Sequence, residues 1–453
     1  RTIRGTVTSK ENIKETLVGV TIIRRGTSPQ TSVTDINGNF SITAKTGDVL
    51  SFTYIGFAPT QVTVGSANQL SVSMATATSN LNEVVVVGYG TSTRQEITGA
   101  ISSIKASQIA QTLSPTLDQA LQGKVAGVVV NSNSGQPGGG VSVQIRGVST
   151  LGNAQPLYVV DGVFFDGGDT NSQVYTGGAP TTNPLATINP SDIESMDVLK
   201  DASATAIYGS RGSNGVVIIT TKKGKVGAPK INFDTYFGVQ QLPKQIPVLD
   251  LQQYAVFRNE RDRIFFNTPR VEFQDPSVLG KGTNWQDVIF KNAPMQNYNL
   301  SISGGDARTT YLLSGGYFNQ EGIAVKSGFK RLNTRLSLEN KATNWLKIGT
   351  NLQVTRTNEQ INNQDGNLIQ LAIRQSPDIA AVNPDGSFGG PSSSEFVLSN
   401  PYGLTLLSTN ERQRSQIYGN LFADITFLKD FVLRNEYAGN YEFGNIVQFT
   451  PTY

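Results

Sequence analysis

The side chains that most often do chemistry in proteins are largely absent from this sequence. It contains no cysteine and no histidine, which removes thiol and imidazole nucleophiles, thiolate zinc sites and imidazole metal sites together. Paired Asp or Glu residues can act as acid and base without histidine, but no recognisable motif fixes such a pair here. We therefore expect no catalytic residue, no metal site and no cofactor, and the protein is not predicted to be an enzyme.

Two short motifs resemble ligand-binding loops but lack residues that those loops require. Asp35–Gly38 begins like a calcium loop, yet the twelfth position is Thr46, where a bidentate Glu is required. Gly135–Gly140 is glycine-rich like a phosphate loop, yet it contains Pro137 and lacks the following Lys-Ser/Thr. A hairpin turn and a flexible turn are predicted instead.

A third segment suits binding to another protein. Glu83 is followed by four valines and by Gly88-Tyr89-Gly90, with polar sequence on both sides and no hairpin partner expected nearby. A β-branched segment tethered at both ends can add itself to the sheet edge of a second protein. It can equally be an ordinary buried strand, and the residues alone leave both interpretations open.

Composition indicates a β-rich chain of several domains. The 453 residues exceed one ordinary core, and 46 glycines with 21 Phe and 15 Tyr suggest many strands and tight turns. A net charge of +3 is small for this length, so nucleic acid is not an expected partner. We find no apolar run long enough for a membrane helix and no signal peptide. A chain that starts at Arg1 with a strand therefore looks processed or trimmed, and it could meet a membrane only as a β-barrel.

Hydrophobic patterning divides the first half of the chain into three parts. Residues 1–76 hold short alternating runs between Gly, Asn and Asp turns, which predicts a small β-sandwich. Residues 77–96 are predicted to be a linker that contains the valine segment. Residues 97–225 look mixed α/β, with helices predicted over Leu113–Gln122 and Ala202–Tyr208. The strand candidates there are Val141–Val148, Leu157–Val163, Ile193–Leu199 and Val216–Thr221.

Residues 226–453 alternate polar and apolar side chains over seven strand candidates. Segments of about 9–13 residues, aromatic residues near segment ends, and short turns alternating with long loops are typical of an antiparallel outer-membrane β-barrel. Charged residues fall on the polar face, which is expected to face inward: Arg335, Glu339, Lys347, Arg434 and Glu436. Seven strands cannot close around a plug, so the barrel is expected to be incomplete. Further strands after Tyr453, or a partner such as an assembly or export machine, would then cover its edges.

Motifs in the expected order resemble SusC/RagA-type TonB-dependent outer-membrane transporters. Val84–Gly90 after Leu81-Asn82-Glu83 looks like their TonB box. Gln144–Gly147 (QIRG), Pro156–Gly162 (PLYVVDG) and Asn189–Lys223 look like their plug signature, and residues 1–76 resemble the carboxypeptidase-regulatory-like domain that often precedes it. The resemblance implies a mainly β chain: that sandwich, a mixed α/β plug, and the first strands of a transmembrane barrel.

The resemblance also implies roles for individual residues. The residues expected to bind TonB are Glu83, Val84, Val85, Val86, Val87, Gly88 and Tyr89. The residues expected to form the plug's structural motif are Arg146, Gly147, Asp161, Gly162, Glu194, Tyr208 and Gly209. Arg146 and Glu194 are candidates for buried charge pairing or plug–barrel contacts, with ordinary surface salt bridges as the alternative. The Asp-Gly and Tyr-Gly pairs are expected to serve turns and packing.

The implied function is active import of oligosaccharides or peptides across the bacterial outer membrane. TonB would deliver work from the inner membrane, a SusD-like lipoprotein would form a lid over the barrel, and the N-terminal domain would lie in the periplasm. The alternative from another class is a soluble, multi-domain β-rich surface adhesin or structural protein.

Overall fold

A computed structural model describes most of the chain. The described residues are 1–10, 16–25, 30–54, 57–75, 84–87, 90–93, 101–110, 116–148, 150, 154–165, 183–265, 267–362, 368–390, 398–428 and 431–451. They fall into two compact units, Arg1–Val85 with Thr91–Ile97, and Val86–Gly90 with Thr98–Tyr453. No helix among the described residues is both long enough and apolar enough to cross a bilayer.

The first unit contains a two-sheet β-sandwich. Its strands are β1 (Thr2–Ser9), β2 (Thr21–Arg25), β3 (Gln30–Val33), β4 (Asn39–Thr43), β5 (Val49–Thr53), β6 (Thr60–Thr63) and β7 (Gln69–Met74). The sheet orders are β4-β1-β7 and β3-β2-β5-β6, and alternate residues such as Ile3 and Phe52 fill the core between them. Asp35–Gly38 is a turn, as predicted, in which the Asp35 carboxylate accepts bonds from the Asn37 and Asn39 amides at 2.9 and 2.8 Å. However, it joins strands of different sheets and is therefore not a hairpin turn.

The valine segment has a strand partner. Strand β8 (Val84–Val87) forms a two-stranded sheet with β9 (Gly90–Thr93). The expectation that it has no hairpin partner is therefore wrong. Glu83, Gly88 and Tyr89 lie outside the described residues.

The second unit begins with a mixed domain, called the plug below. Its strands are β10 (Ile101–Lys105), β11 (Val128–Ser132), β12 (Val141–Ile145), β13 (Leu157–Val160), β14 (Val163–Phe165), β15 (Ile193–Leu199) and β16 (Val216–Thr221), with helices α1 (Ala106–Ala110) and α2 (Ala202–Thr205). Five strands form a sheet in the order β10-β15-β16-β13-β14, and β11 pairs with β12. Apolar side chains from both groups share one core.

Two predictions for the plug are wrong in part. Over Leu113–Gln122 the described residues form only a 3-10 turn at Gln119–Leu121, and Gly123 follows with φ +71°. Residues 111–115 lie outside the described part. The single strand predicted over Leu157–Val163 is interrupted at Asp161-Gly162, where β13 turns back to pair with β14. Two successive positive φ values make this a tight two-residue hairpin turn.

Seven long antiparallel strands follow, called the wall below. They are β17 (Gly227–Gln240), β18 (Ala293–Gly305), β19 (Thr309–Glu321), β20 (Gly328–Lys341), β21 (Leu346–Gln360), β22 (Thr409–Phe427) and β23 (Phe431–Phe449). They pair in sequence order, which confirms the seven predicted strands. Residues 306–308, 342–345 and 428–430 connect strands at one end, and the longer connections 241–292, 322–327 and 361–408 lie at the other.

The wall is built inside out compared with a sheet of a water-soluble protein. On β20, Leu332 and Leu336 are 58% and 36% exposed, whereas Arg331 and Arg335 are 2% and 1% exposed. Neighbouring strands repeat this pattern, with buried Asn351 and Gln353 alternating with exposed leucine and valine. The polar face lies against the plug, and the five charges predicted for the inward face lie on it. Arg335 is buried there, whereas Arg434 and Glu436, on the last strand, are exposed. Lipid outside and a polar plug inside would favour this arrangement.

The two longest connections fold together at the end of the wall away from the short turns. They contain α3 (Leu251–Ile264), α4 (Trp285–Ile289), α5 (Leu368–Arg374) and α6 (Pro401–Leu407). Trp285 and Ile289 of the first connection share a core with Leu368, Ala372 and Ile379 of the second. The Trp285 indole donates to the Ser376 carbonyl at 2.9 Å, and Arg270 pairs with Asp378 at 2.8 Å.

Candidate functional site: the plug–wall interface

A short irregular segment of the plug, residues 183–192, lies against the wall and is called the docking segment. It consists of two 3-10 turns, Pro184–Thr187 and Pro190–Asp192, each preceded by an asparagine. The side chains of Asn183 and Asn189 accept from the backbone amides two residues later, at 2.8 and 3.1 Å. Asparagine before proline favours this geometry because it supplies the cap and proline needs no amide partner. The repeat leaves backbone carbonyls without partners inside the segment.

Wall side chains donate to these carbonyls. The Arg331 guanidinium donates to the carbonyls of Ala186 and Ile188 at 2.9 and 3.0 Å. The Gln353 amide donates to the carbonyl of Thr187 at 3.1 Å. Since buried carbonyls need partners, the polar inward face of the wall replaces the hydrogen bonds that a regular helix or strand would have made.

Further side-chain pairs join the end of the docking segment to the wall. Asn189 donates to the side-chain oxygen of Asn299 at 2.7 Å. The buried carboxylate of Asp192 accepts from the Ser314 hydroxyl at 2.7 Å and from the Asn333 amide at 3.4 Å. Burial raises the pKa of Asp192 above its ordinary value, and the bond from Ser314 opposes this rise.

Arg335 anchors the end of strand β16. Its guanidinium donates to the Lys222 carbonyl at 2.7 Å and to the Thr221 hydroxyl, and lies 3.8 Å from the Asp161 carboxylate. Asp161 accepts from the Thr221 amide at 3.0 Å, and its own carbonyl accepts from Asn420 at 2.9 Å. Asp161 therefore forms the predicted turn and in addition bonds to two wall strands. This second role was not predicted.

Gly162 also lies against the wall. Its φ is +86°, and a Cβ there would lie 3.1 Å from the Glu436 carboxylate. The backbone conformation therefore favours glycine at this turn, and a larger residue would also require the Glu436 side chain to shift slightly.

The hypothesis of buried charge pairing is wrong for Arg146 and Glu194. Arg146 pairs with Asp201 at 2.5 Å, and its side chain is 52% exposed. Glu194 pairs with Lys225 at 3.5 Å, and both partners are exposed. Both are surface salt bridges, the alternative given above. Such exposed pairs contribute about 0–1 kcal/mol each.

The remaining plug-motif residues serve local structure. Gly147 has φ +90°, and Gly209 interrupts the 3-10 helix Ala206–Gly212 with φ +59°. The Tyr208 ring packs edge-on against Phe164, with centroids 6.3 Å apart. The Tyr208-Gly209 pair therefore has the packing and turn features expected of it.

An ion-pair group at the loop end of the wall was not predicted. The buried carboxylate of Glu359 contacts Arg412 at 3.3 Å and Arg414 at 2.7 Å. Arg414 also reaches the Asn183 carbonyl at 3.4 Å. Asn183 in turn donates to the buried Asp118 carboxylate at 3.0 Å, and burial raises the pKa of Asp118. The docking segment thus connects the wall to the plug core.

Aromatic packing adds to these contacts. The Tyr418 hydroxyl donates to the Gln353 side chain at 2.7 Å, and its ring packs edge-on against Phe165 of the plug with centroids 5.0 Å apart. The strand alternation was the available signal for inward-facing Arg331, Arg414 and Tyr418, but it does not identify their partners.

The polar contacts between the plug and the wall are hydrogen bonds and ion pairs. Across the described ranges no group of three His, Cys, Asp or Glu side chains could hold a metal ion. The plug is a folded domain that is held against the wall by many separate polar contacts. Each typical hydrogen bond of this kind contributes about 0.5–1.5 kcal/mol, so the contacts can be broken one after another.

Comparison with known proteins adds independent information. Residues 93–216 match the TonB-dependent Receptor Plug Domain, and residues 3–86 match the CarboxypepD_reg-like domain. TonB-dependent receptor P3 of Formosa agariphila is 33% identical over 463 residues, which cover 100% of this chain and 43% of the relative. TonB-dependent receptor SusC of Bacteroides thetaiotaomicron is 38% identical over 342 residues, which cover 74% of this chain and 32% of SusC.

A solved structure shows the same architecture. The RagAB peptide importer in its 'open-open' state aligns with a TM-score of 0.68 at 28% identity, over 80% of this chain and 42% of the importer chain. This chain spans less than half the length of each of these relatives.

Proposed function

Because this chain is homologous to the N-terminal portion of SusC-like TonB-dependent receptors, we propose that it takes part in TonB-dependent import across the bacterial outer membrane. The observation that carries the proposal is the inside-out wall, with leucine and valine exposed outside and arginine and asparagine buried against a plug. An apolar outer surface is favourable in lipid and costly in water. A plug held by separable polar contacts can block the path and be displaced when work is supplied.

TonB would supply that work through the valine segment. The outer membrane has no ATP, so energy must arrive mechanically. Val84–Val87 is already extended, and an extended β-branched strand can pair with the sheet edge of a partner. Its pairing with β9 means that TonB would compete with, or extend, an existing two-stranded sheet.

The proposal extends to orientation and partners. Barrels of this class place short turns in the periplasm and long loops outside, and the N-terminal domain would lie in the periplasm. The two long connections that fold together would then face the medium, where a SusD-like lipoprotein would form the lid. RagAB is a peptide importer, and we propose peptides or oligosaccharides as the substrate class here.

Proline in the valine segment tests the proposal. Val85→Pro removes a backbone donor and fixes φ, which disrupts strand pairing. We expect normal amounts of the protein in the outer membrane and loss of energised uptake, measured with labelled oligosaccharide and peptide mixtures in cells. Ser79→Pro, in the preceding linker, is the control and should transport normally. Normal uptake by Val85→Pro would show that this segment is not the TonB-binding strand.

A further inference from the structure

The outward face of the wall changes from apolar to polar along one row of paired residues. The strand register places Asn319 opposite Lys330, Lys330 opposite Asn358, and Asn358 opposite Gln413. We call these four residues the polar row. On the side toward the short turns, most outward residues of β20 to β22 are apolar: Leu332, Leu336, Leu352, Val354, Ile417 and Leu421. On strands β19 to β22 the row therefore marks the loop-side limit of the apolar surface.

Two cations stand at this limit. Arg356 lies opposite Leu332 and next to the polar row, so that it is the diagonal neighbour of Lys330. Diagonal neighbours on a sheet face are about 7–8 Å apart, within reach of one another's long side chains. Both are exposed, and Arg356 donates to the Gln413 side chain at 3.3 Å.

Neither cation has an ion-pair partner within the described residues. Glu321, the outward carboxylate diagonal to Lys330, is paired with Lys291 at 2.6 Å. Glu411 lies opposite Gln360, one row further from the apolar surface. Two unpaired cations beside three amide side chains therefore leave local positive charge and free donors immediately above an apolar surface.

We propose that Lys330 and Arg356, with the amides of Asn358 and Gln413, bind the phosphate-bearing headgroup of a membrane lipid. The proposal rests on the proposed function, which places the apolar outer face in lipid. Only an amphiphile can supply an anion at the polar row and hydrocarbon beside Leu332 and Val354 at once. Arginine offers a two-pronged donor and lysine a point charge for phosphate oxygens.

Lipid nanodiscs can test this site. The outer-membrane-assembled protein is placed in discs that contain phosphatidylcholine with a minor fraction of either phosphatidylglycerol or bisphosphorylated lipid A. Anionic lipid retained by the protein is then measured by native mass spectrometry. The variant is Lys330→Gln with Arg356→Gln, and Lys244→Gln with Lys281→Gln removes two exposed loop charges as a control of equal net charge.

We expect the variant to lose about 30-fold in preference for the anionic lipid. A basic residue at a lipid surface contributes roughly 1 kcal/mol, which corresponds to about five-fold for each of the two cations. The control should keep the preference. An unchanged preference in the variant, or an equal loss in the control, would overturn the proposal. Preference abolished by inorganic phosphate alone would also overturn it, since a free anion site would then explain the binding. Failure of the unmodified protein to enter discs would instead contradict the proposed function.

Discussion

At the scale of single residues, buried carboxylates stand out because the plug holds them where water is excluded. Asp118 accepts from the Asn183 side chain at 3.0 Å, and Asp192 accepts from Ser314 and Asn333. Burial is the largest influence on both, and it raises the pKa of each. A carboxyl with a raised pKa holds its proton more tightly in the folded state than in the unfolded state. Folding stability therefore falls as pH rises from the ordinary Asp range through the raised pKa.

Asp118→Asn removes this penalty and keeps an oxygen to accept from Asn183. We expect the variant plug to be more stable than the unmodified one at neutral pH, and its stability to depend less on pH above about 4. Hydrogen exchange of the β13 and β16 amides across a pH series measures both. Asp385→Asn is the control, because the Ser387 hydroxyl and amide lower the pKa of that exposed carboxyl. Lower stability of Asp118→Asn at neutral pH would mean that an ionised Asp118 stabilises the fold.

At the scale of elements, strand β20 and the end of β16 are joined by one side chain. Arg335 is 1% exposed and bonds to the Lys222 carbonyl and the Thr221 hydroxyl, close to the Asp161 carboxylate. These contacts fix the last plug strand to the wall just before the chain enters β17. This end of the plug is therefore expected to stay in place when the other end is pulled.

Arg335→Met tests this attachment. The substitution keeps much of the volume but leaves the buried Asp161 carboxylate without its cation. We expect a loss of roughly 3–5 kcal/mol in the free energy that holds the plug in place, the usual cost of breaking a buried pair. Faster hydrogen exchange across Val216–Thr221 would report it, while Arg308→Met, at an exposed turn, should exchange normally. Equal exchange in both variants would mean that the docking segment holds the plug alone.

The same elements show what sequence could and could not predict. Period-two alternation is a local property, so it predicted seven strands and the inward position of Arg335 and Glu339. The helix over Leu113–Gln122 and the single strand over Leu157–Val163 were wrong because local turn geometry at Gly123 and Asp161-Gly162 interrupted them. The plug–wall contacts could not be predicted, because they join positions more than 100 residues apart, such as Asn189 with Asn299.

At the scale of the whole molecule, the wall separates two environments with opposite requirements. On its central strands most outward residues below the polar row are apolar and exposed, and most inward residues are polar and buried. A soluble adhesin would require the reverse, because exposed leucine rows on adjacent strands promote association in water.

Leu352→Arg distinguishes these environments. Leu352 is 43% exposed near the middle of the apolar surface, and arginine there should cost about 2–4 kcal/mol in lipid. The same change on a water-exposed surface should cost within about 0.5 kcal/mol. Denaturant unfolding from lipid vesicles measures the difference. Val278→Arg, at a loop site 76% exposed, should be neutral. A neutral Leu352→Arg would support the soluble alternative.

The shared core of the two long connections has a consequence for engineering. Trp285 of the first connection and Leu368 of the second pack together, and Arg270 bonds across to Asp378. A loop transplanted alone from a relative would therefore arrive without the surface it packs on. Chimeras meant to exchange recognition between relatives should move residues 241–292 and 361–408 as one module.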